Sequence, residues 1–350
     1  MNFEQKLPTE DTDIAEIVKG ILAIQTMSAA RQKRSIARGT HTKGVCVRGT
    51  FEVFDPARIV SDSAMAERLA RGIFAKPGVY GAMVRFANAA SAVYADSKYD
   101  IRALSFAVDV PAGILAPTAT RQDFSMNNAP TFLINDAHAF AKFVNIRGAA
   151  SAAAKLKAFL GFSSRDKYGV VQSYRRGIQQ MRCPVQPYQQ TRYWSGVPFL
   201  HGPADAVKYS AIPRPGNAAR AVGSGATVLA DELVRHVNED PEMSVFDFAL
   251  QFLDTRRMTF RGKPQEASFW IENASVEWNE AEAPFHVVGR LTLEAASQFS
   301  AAACAATYID VTQNCTADRR PLGSINRARR AAEFASRQAR LAAATQGGGG

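Results

Sequence analysis

The chain has 350 residues, of which 47% are hydrophobic and 21% charged, so it is long enough to bury a large apolar core. It contains no uninterrupted apolar run of about 18 residues, and we therefore expect no integral membrane span. The first twenty residues are acidic where a secretory signal would be basic and then apolar. Because the four cysteines form no CxxC pair, we expect a cytoplasmic protein with reduced thiols.

The formal net charge of +10 suits an acidic partner, either a nucleic acid or a smaller ligand that carries carboxylates. The basic residues are spread along the chain and show no zinc-finger spacing, helix-turn-helix signal or RNA-binding motif. We therefore expect no nucleic-acid partner.

Apolar residues at helical spacing predict an N-terminal helix that includes Ile14, Ile17 and Ile21. Alternating apolar residues then predict two series of four strands each. The strands are predicted at 44–54, 80–88, 101–110, 123–135, 205–213, 244–254, 269–278 and 285–293. Helices are predicted at 136–162, 229–237, 294–307 and 326–340.

Two sets of four strands with inserted helices predict an α+β protein built on an eight-stranded antiparallel β-barrel. The expected helices are N-terminal, inserted and C-terminal. We predict a helical arm over 1–40, one barrel domain over 41–342 that includes a C-terminal helix at 324–342, and a flexible tail over 343–350.

A single histidine, His41, lies in the basic segment "RGTHTKG" directly before the first strand. A surface histidine without a function is the commoner explanation of such a residue. The functional alternative is a general acid and base that moves a proton on a bound ligand.

Two adjacent carboxamides, Asn127 and Asn128, precede Ala-Pro in an otherwise apolar strand. They either cap the turn, which is the commoner use of Asn near Pro, or direct one amide into a pocket. In the second case Phe132 and Phe140 would form the apolar wall of that pocket.

Arginines occur at two further places where an anion could bind. Arg85 lies within a strand, and Arg327, Arg330 and Arg337 lie on neighbouring faces of the C-terminal helix. Solvent-facing arginines are the default explanation in both places, because an arginine is seldom buried without an anionic partner.

The order of these segments resembles the catalase superfamily, and within it the small bacterial catalase-related haem peroxidases. The family pattern RxxHxKG, VRFS, a central strand and NNxPxF is matched by "RGTHTKG", "VRFAN", "YDIRALSFAV" and "DFSMNNAPTFLINDAHAF". The stretch "PLGSINRARRAAEF" resembles the start of the family's proximal helix. The resemblance covers 13–340, with Ala87 in place of the usual Ser as a minor departure.

The resemblance implies a haem b site between the barrel and the C-terminal helix. His41 would be the distal histidine and Asn127 the residue that orients the peroxide. Arg38 and Arg85 would pair with the haem propionates, and Phe140 would stack over the distal pocket.

In the family the proximal helix carries RxxxY, whose Tyr binds the iron. The resemblance places Arg330 at the Arg and Phe334 at the Tyr, with Arg327 and Arg337 also beside the cofactor. Since Phe has no donor atom, no protein metal ligand is predicted. Haem would then be held by its pocket with altered chemistry, or the chain would be a ligand-knockout variant, or haem would have been lost.

The resemblance therefore implies a haem-dependent peroxidase that acts on hydrogen peroxide or on an organic hydroperoxide, such as that of a lipid. A homodimer is the candidate oligomeric state. The alternative is a catalytically silent catalase-fold protein that binds haem or a fatty acid.

Overall fold

The computed structural model describes every residue except 1–2, 34–35, 37, 114, 116–118, 184, 216–222, 241–243 and 348–350; for 345–347 it describes the backbone only.

The helices within the described ranges include a long one near each end of the chain. They are α1 (Glu10–Arg31), α2 (Pro56–Ile59), α3 (Ser63–Leu69), α4 (Ala137–Gly148), α5 (Ala152–Gly161), α6 (Ser164–Met181), α7 (Val228–Glu239), α8 (Ala267–Glu272), α9 (Ala301–Ala306) and α10 (Ser324–Gly347). None of the helices in these ranges is both long and apolar enough to cross a membrane.

The strands vary from two to eleven residues in length. They are β1 (Gly44–Val53), β2 (Gly78–Asn88), β3 (Arg102–Asp109), β4 (Arg121–Asn127), β5 (Tyr193–Trp194), β6 (Phe199–His201), β7 (Asp205–Pro213), β8 (Val245–Phe252), β9 (Thr259–Phe260), β10 (Lys263–Pro264) and β11 (Phe285–Leu293).

Eight of the described strands close an antiparallel barrel in the order β5-β4-β3-β2-β1-β11-β8-β7, and the pairing of β5 with β7 completes the ring. Strand β6 pairs with β7 beside the barrel. The predicted fold class, an α+β protein on an eight-stranded antiparallel barrel, is confirmed.

Aromatic rings fill the interior of the barrel. The ring of Phe51 lies 5.4 Å from that of Phe106, 5.8 Å from that of Phe124 and 5.3 Å from that of Phe248. Because side chains alternate along a strand, the neighbours of these residues point outward. An outward row of polar residues therefore crosses three strands, since Arg85 of β2 lies opposite Ser105 of β3, which lies opposite Ser125 of β4.

A layer of helices covers part of this outer face. The apolar side of α1 packs against α4 and α10 through a cluster that includes Ile17, Val144 and Ala328. Gly20 permits this close approach, because a Cβ on it would lie 2.6 Å from Cγ2 of Val144.

Seven of the eight predicted strands are present, and the strand predicted at 269–278 is wrong. That segment begins in α8 and continues as a loop, with Trp270 and Trp278 buried in a satellite cluster outside the barrel. A short run of apolar residues such as this one is compatible with a helix or a buried loop as well as with a strand. The two-residue strand β5, which is too short to produce a periodic signal, takes the eighth place in the barrel.

The C-terminal helix was predicted to end at residue 342, but α10 continues to Gly347. Residues 343–347 are therefore helical and not part of a flexible tail, and 348–350 lie outside the described residues.

The prediction of reduced thiols is wrong for two of the four cysteines. Cys46 of β1 and Cys304 of α9 form a disulfide between residues 258 positions apart, whereas Cys183 and Cys315 are free. No CxxC pattern indicates this bond, because its partners meet only after the barrel has brought them together.

We expect Cys304→Ser to lower the free energy of unfolding by about 2–4 kcal/mol, because the disulfide closes a long loop and restricts the unfolded chain. Thermal unfolding of the oxidised protein measures this effect, with Cys183→Ser as the control. Equal melting temperatures for the two variants would show that the disulfide contributes no stability.

Candidate functional site

A cavity of about 260 Å³ lies between the outer face of the barrel and α10, and it opens to solvent. Its volume is close to the lower end of the usual range for small-molecule sites, about 300–1,000 Å³. Its apolar lining consists of Ile21, Met126, Phe132, Phe140, Val197, Ile309, Ile325 and Ala332. Its polar lining includes Arg38, Thr40, His41, Arg85, Ser105, Ser125, Asn127, Ser195, Thr307, Tyr308, Arg329, Glu333, Ser336, Arg337 and Arg340.

Seven of the ten predicted site residues line this cavity together. They come from separate parts of the chain and are Arg38, His41, Arg85, Asn127, Phe132, Phe140 and Arg337. The remaining three, Arg327, Arg330 and Phe334, do not line it.

The predicted register of the C-terminal helix is wrong by one residue. Phe334 is 55% exposed and Arg330 also faces solvent. The residues of α10 that line the cavity recur mainly at intervals of three and four, as expected for one face of a helix. They are Ile325, Arg329, Ala332, Glu333, Ser336, Arg337 and Arg340. The pair four residues apart that faces the cavity is therefore Arg329 and Glu333. Adjacent arginines at 329 and 330 allow either register in the sequence, and only the packing of the helix decides between them.

Arg327 has a different role from the one predicted. Its guanidinium forms ion pairs with Glu10 at 2.6 Å, with Glu272 at 3.0 Å and with Glu4 at 2.5 Å. It joins the N-terminal segment and α8 to α10, and it points away from the cavity.

We expect Arg327→Ala to lower the free energy of unfolding by about 3 kcal/mol, because it leaves partly buried carboxylates without their cation. Denaturant unfolding measures this loss. The cavity should be unchanged, so a loss of ligand binding at equal folded fraction would contradict this structural role.

His41 is held in an unusual backbone conformation at the edge of the cavity. Its φ of 54° lies in the left-handed region, which costs a non-glycine residue free energy. Its N–H donates to the carbonyl of Ala89 at 3.1 Å, and its own carbonyl accepts from Arg85 Nη2 at 2.7 Å. Nδ1 of its ring lies 3.1 Å from the hydroxyl of Thr40. These contacts fix the imidazole at the cavity wall.

The electrostatic surroundings keep His41 neutral. Burial, together with the positive charges of Arg85, Arg329 and Arg38, lowers the pKa of its imidazole to about 3. A neutral imidazole at physiological pH can accept a proton from a bound ligand.

This pKa predicts a pH dependence of stability. Between pH 6.5 and 3 the unfolded chain protonates this histidine while the native protein does not, so the native state loses stability as the pH falls through that window. His41→Gln should remove this contribution and leave a shallower loss of stability in acid. Denaturant unfolding at pH 7 and pH 5 tests the difference, and identical slopes would contradict it.

Asn127 both caps the turn and lines the cavity. Its Oδ1 accepts from the N–H of Ala129 at 3.0 Å, which caps the turn. Its Nδ2 makes no hydrogen bond to any described residue, so a free amide donor lies at the cavity wall. Asn128 is structural, because its Oδ1 accepts from the N–H of Arg102 at 2.9 Å.

Arg38 and Arg85 bring positive charge into a poorly solvated place. Burial, with a smaller contribution from Arg85, lowers the pKa of Arg38 to about 9, and burial lowers the pKa of Arg85 to about 10. The buried Nε of each has no hydrogen-bond partner among the described residues. Gly44 leaves room for this arrangement, since a Cβ there would lie 2.7 Å from Nη2 of Arg85. Buried guanidinium groups that form no ion pair with a carboxylate of the described residues favour an anionic ligand.

A loop after α9 closes one side of the cavity. Asp123 of β4 anchors it by accepting from the N–H of Asp310 at 2.7 Å and from Nδ2 of Asn314 at 2.8 Å. The loop thereby presents Tyr308, whose hydroxyl donates to Asp310 and whose ring lies 3.9 Å from the guanidinium carbon of Arg337. Burial and this hydrogen bond raise the pKa of Tyr308, so its phenol stays protonated.

The prediction from the sequence missed Arg329, Glu333, Arg340, Ser105 and Ser125. The first three continue the spacing of Arg337 along one face of α10. The two serines lie in register with Arg85 across neighbouring strands. Strand pairing would have indicated the serines, whereas the helix residues need the packing of α10.

About nine tenths of the chain, 90–91%, is similar in structure to catalases. It superposes on "catalase A from Saccharomyces cerevisiae" with a TM-score of 0.58 at 16% identity, covering 90% of this chain and 62% of that one. It superposes on a fungal catalase with a TM-score of 0.55 at 16% identity, covering 90% and 61%. A bacterial catalase gives 0.52 at 17% identity, covering 91% and 60%.

The chain has the catalase fold. It spans about three fifths of the length of these catalases, and at 16–17% identity the likeness establishes the fold alone. No protein-family model and no curated protein matches the sequence. On this catalase fold the cavity lies between the barrel wall and α10.

Proposed function

We propose that the cavity binds haem b and that the protein is a haem-dependent peroxidase, related to the small bacterial branch of the catalase superfamily, for hydrogen peroxide or organic hydroperoxides. One observation carries this proposal: the amide donor of Asn127, which has no partner among the described residues, and the neutral imidazole of His41 share one cavity with arginines. Four of these arginines form no ion pair with a carboxylate of the described residues. Fold likeness alone would not support it, because one fold hosts many functions.

The residues present fit the cofactor. Haem is a broad apolar ring with two carboxylates, and the cavity offers apolar side chains on several walls. Arg38, Arg85, Arg337 and Arg340 line it, and none of the four lies within 4 Å of a carboxylate of the described chain. Two unpaired Nε atoms within this group are buried. Arginine pairs with carboxylates through two parallel hydrogen bonds, so these side chains would hold the propionates.

Haem, when bound, would supply the redox-active iron at which the O–O bond of a peroxide breaks. His41 would take a proton from the inner oxygen of the peroxide and return it to the departing oxygen, because its imidazole is neutral. Asn127 would orient the peroxide by donating from Nδ2, whose partner oxygen is already fixed by the turn. Phe132 and Phe140, with ring centroids 6.0 Å apart, would exclude water from this side.

A catalytically silent catalase-fold protein that binds a fatty acid is the second candidate. The same apolar side chains and arginines suit one carboxylate on a long chain. Phe334, at the predicted ligand position, is exposed and does not line the cavity. If the ligand is a fatty acid, the neutral imidazole of His41 and the amide donor of Asn127 have no chemical function in the cavity.

Reconstituting the protein with haem and adding hydrogen peroxide or cumene hydroperoxide tests the proposed function. Peroxide-dependent oxidation of a reducing dye should require both haem and the protein, above the rate of free haem. A reconstituted protein with only the rate of free haem would contradict peroxidase activity and favour the second candidate.

A further inference from the structure

Glu333 is chemically distinct within the cavity. Among the described lining residues it is the one carboxylate beside five arginines. Its Oε1 accepts from Nε of Arg329 at 2.9 Å, whereas its Oε2 makes no hydrogen bond to the described chain. The side chain is 37% exposed although it lines the cavity, so a ligand can reach the free oxygen.

The other side chains of the cavity that could bind a metal are occupied or differently placed. The hydroxyl of Tyr308 donates to Asp310, and Met126 is 2% exposed within β4. His41 lies with Asn127 on the barrel side, where the proposed function uses its imidazole as acid and base. Glu333 lies on α10, whereas Arg85, Ser105 and Ser125 lie on strands of the barrel.

We infer that Oε2 of Glu333 is the protein ligand of the haem iron and that Arg329 positions this carboxylate. This inference rests on the proposed function, because it assigns an iron ligand to the same cofactor. A carboxylate is an anionic oxygen donor and is suited to ferric iron. It requires neither Phe334 nor a tyrosine on α10.

Arg329 places a positive charge beside Glu333, because its Nε donates to Oε1 at 2.9 Å. Arg329 also reaches the hydroxyl of Ser125 at 3.4 Å, so the positioning residue is itself tied to β4. An arginine in this place draws electron density from the ligand oxygen as it orients it.

Optical and electron paramagnetic resonance spectra of the ferric protein test the assignment without a turnover measurement. Glu333→Gln should change the charge-transfer bands and weaken haem binding by at least about tenfold. Glu333→Tyr should produce the bands of a tyrosinate-ligated ferric haem. Phe334→Tyr, on the neighbouring exposed position, is the matched control and should leave the spectrum unchanged.

The possible outcomes separate this inference from the proposed function. If the native protein binds haem but Glu333→Gln has the native spectrum, the assignment of the ligand is overturned and haem binding stands. Tyrosinate bands in Phe334→Tyr but not in Glu333→Tyr would also overturn it. If no variant binds haem, both proposals fail.

A second, independent observation concerns α5 and α6. Six of the thirteen large exposed hydrophobic side chains of the described chain lie on these two helices, each 37–66% exposed. They form the α5–α6 surface and are Leu156, Leu160, Tyr168, Val171, Tyr174 and Ile178. Exposed apolar side chains that recur along two consecutive helices are typical of an interaction surface.

The charge of the same two helices is strongly positive. They carry six cations, Lys155, Lys157, Arg165, Lys167, Arg175 and Arg176, and none of these forms an ion pair within the described chain. Their one acidic residue, Asp166, is held by His138 and Ser163. Arg176 and Gln180 of α6 donate to the carbonyls on either side of Phe132, so α6 adjoins the cavity wall.

We propose that the α5–α6 surface binds an anionic lipid bilayer at the headgroup level. Exposed Leu and Tyr beside unpaired Lys and Arg match both the apolar and the negatively charged parts of such an interface. Two copies of this strongly basic surface would repel each other, so we do not expect the surface to form a dimer.

Flotation with vesicles of phosphatidylcholine, with and without phosphatidylglycerol, tests this proposal. The protein should float only with the anionic vesicles and should be released by high salt. Replacing both Leu156 and Leu160 by Ser should weaken binding at least about tenfold, whereas Leu341→Ser on α10 should not. Absence of flotation would overturn the proposal, as would self-association that the Leu156 and Leu160 replacements disrupt.

Discussion

Replacing His41 by alanine should reduce the peroxide turnover of the haem-loaded protein by about 10²- to 10⁴-fold, the usual contribution of a positioned acid and base. The reason is geometric and electrostatic. The backbone of His41 is fixed by Ala89 and Arg85, and its imidazole is kept neutral by burial and three arginines. Stopped-flow measurement of peroxide consumption at saturating haem gives the rate constant.

The control for this experiment is His286→Ala, which removes a histidine on β11 that does not line the cavity. Haem absorbance should be retained in both variants, so that the loss concerns chemistry and not binding. If His41→Ala and His286→Ala turn over peroxide at the same rate, His41 is not the acid and base.

Replacing Arg38 or Arg85 by leucine should weaken haem binding by about 10- to 100-fold for each residue, because a hydrogen bond to a charged group contributes about 1.5–3 kcal/mol. The apo protein should not lose stability to the same degree. Each arginine places an unpaired, buried Nε in the cavity without an anion, which costs the empty protein free energy.

Arg330→Leu is the matched control, since this arginine faces solvent on the helix that carries the cavity residues. Equilibrium titration with haem and thermal unfolding of the apo variants measure the two effects. Equal haem affinities for Arg85→Leu and Arg330→Leu would contradict a role of Arg85 in the site.

The sequence predicted most of the barrel because its strands have local signatures. The alternation of apolar and polar residues in 44–54 corresponds to β1, whose inward side chains include Phe51. Six other predicted strands agree with the structure in the same way. The failure at 269–278 has a physical cause, because Trp270 and Trp278 are buried by a satellite cluster and not by the barrel. Strand β5 is defined by its long-range pairing with β4 and β7. Its two residues are too few to produce an alternating pattern in the sequence.

The barrel side of the site was predictable and the helix side was not. His41, Arg85 and Asn127 lie in motifs whose order along the chain is specific, and the structure brings them together. On α10 the relevant information is the rotation of the helix, and an error of one residue turns its face by about 100°. That rotation exchanges Phe334 for Glu333, which changes the expected chemistry from a missing ligand to a carboxylate.

Equilibrium titration of the apo protein with ferric haem, followed by the Soret band, tests the central claim most directly. We predict saturation at one haem per chain, with an affinity that falls when both Arg38 and Arg85 are replaced by leucine. A Soret band that stays at the position of free haem, or a titration unchanged by the double replacement, would contradict the haem site.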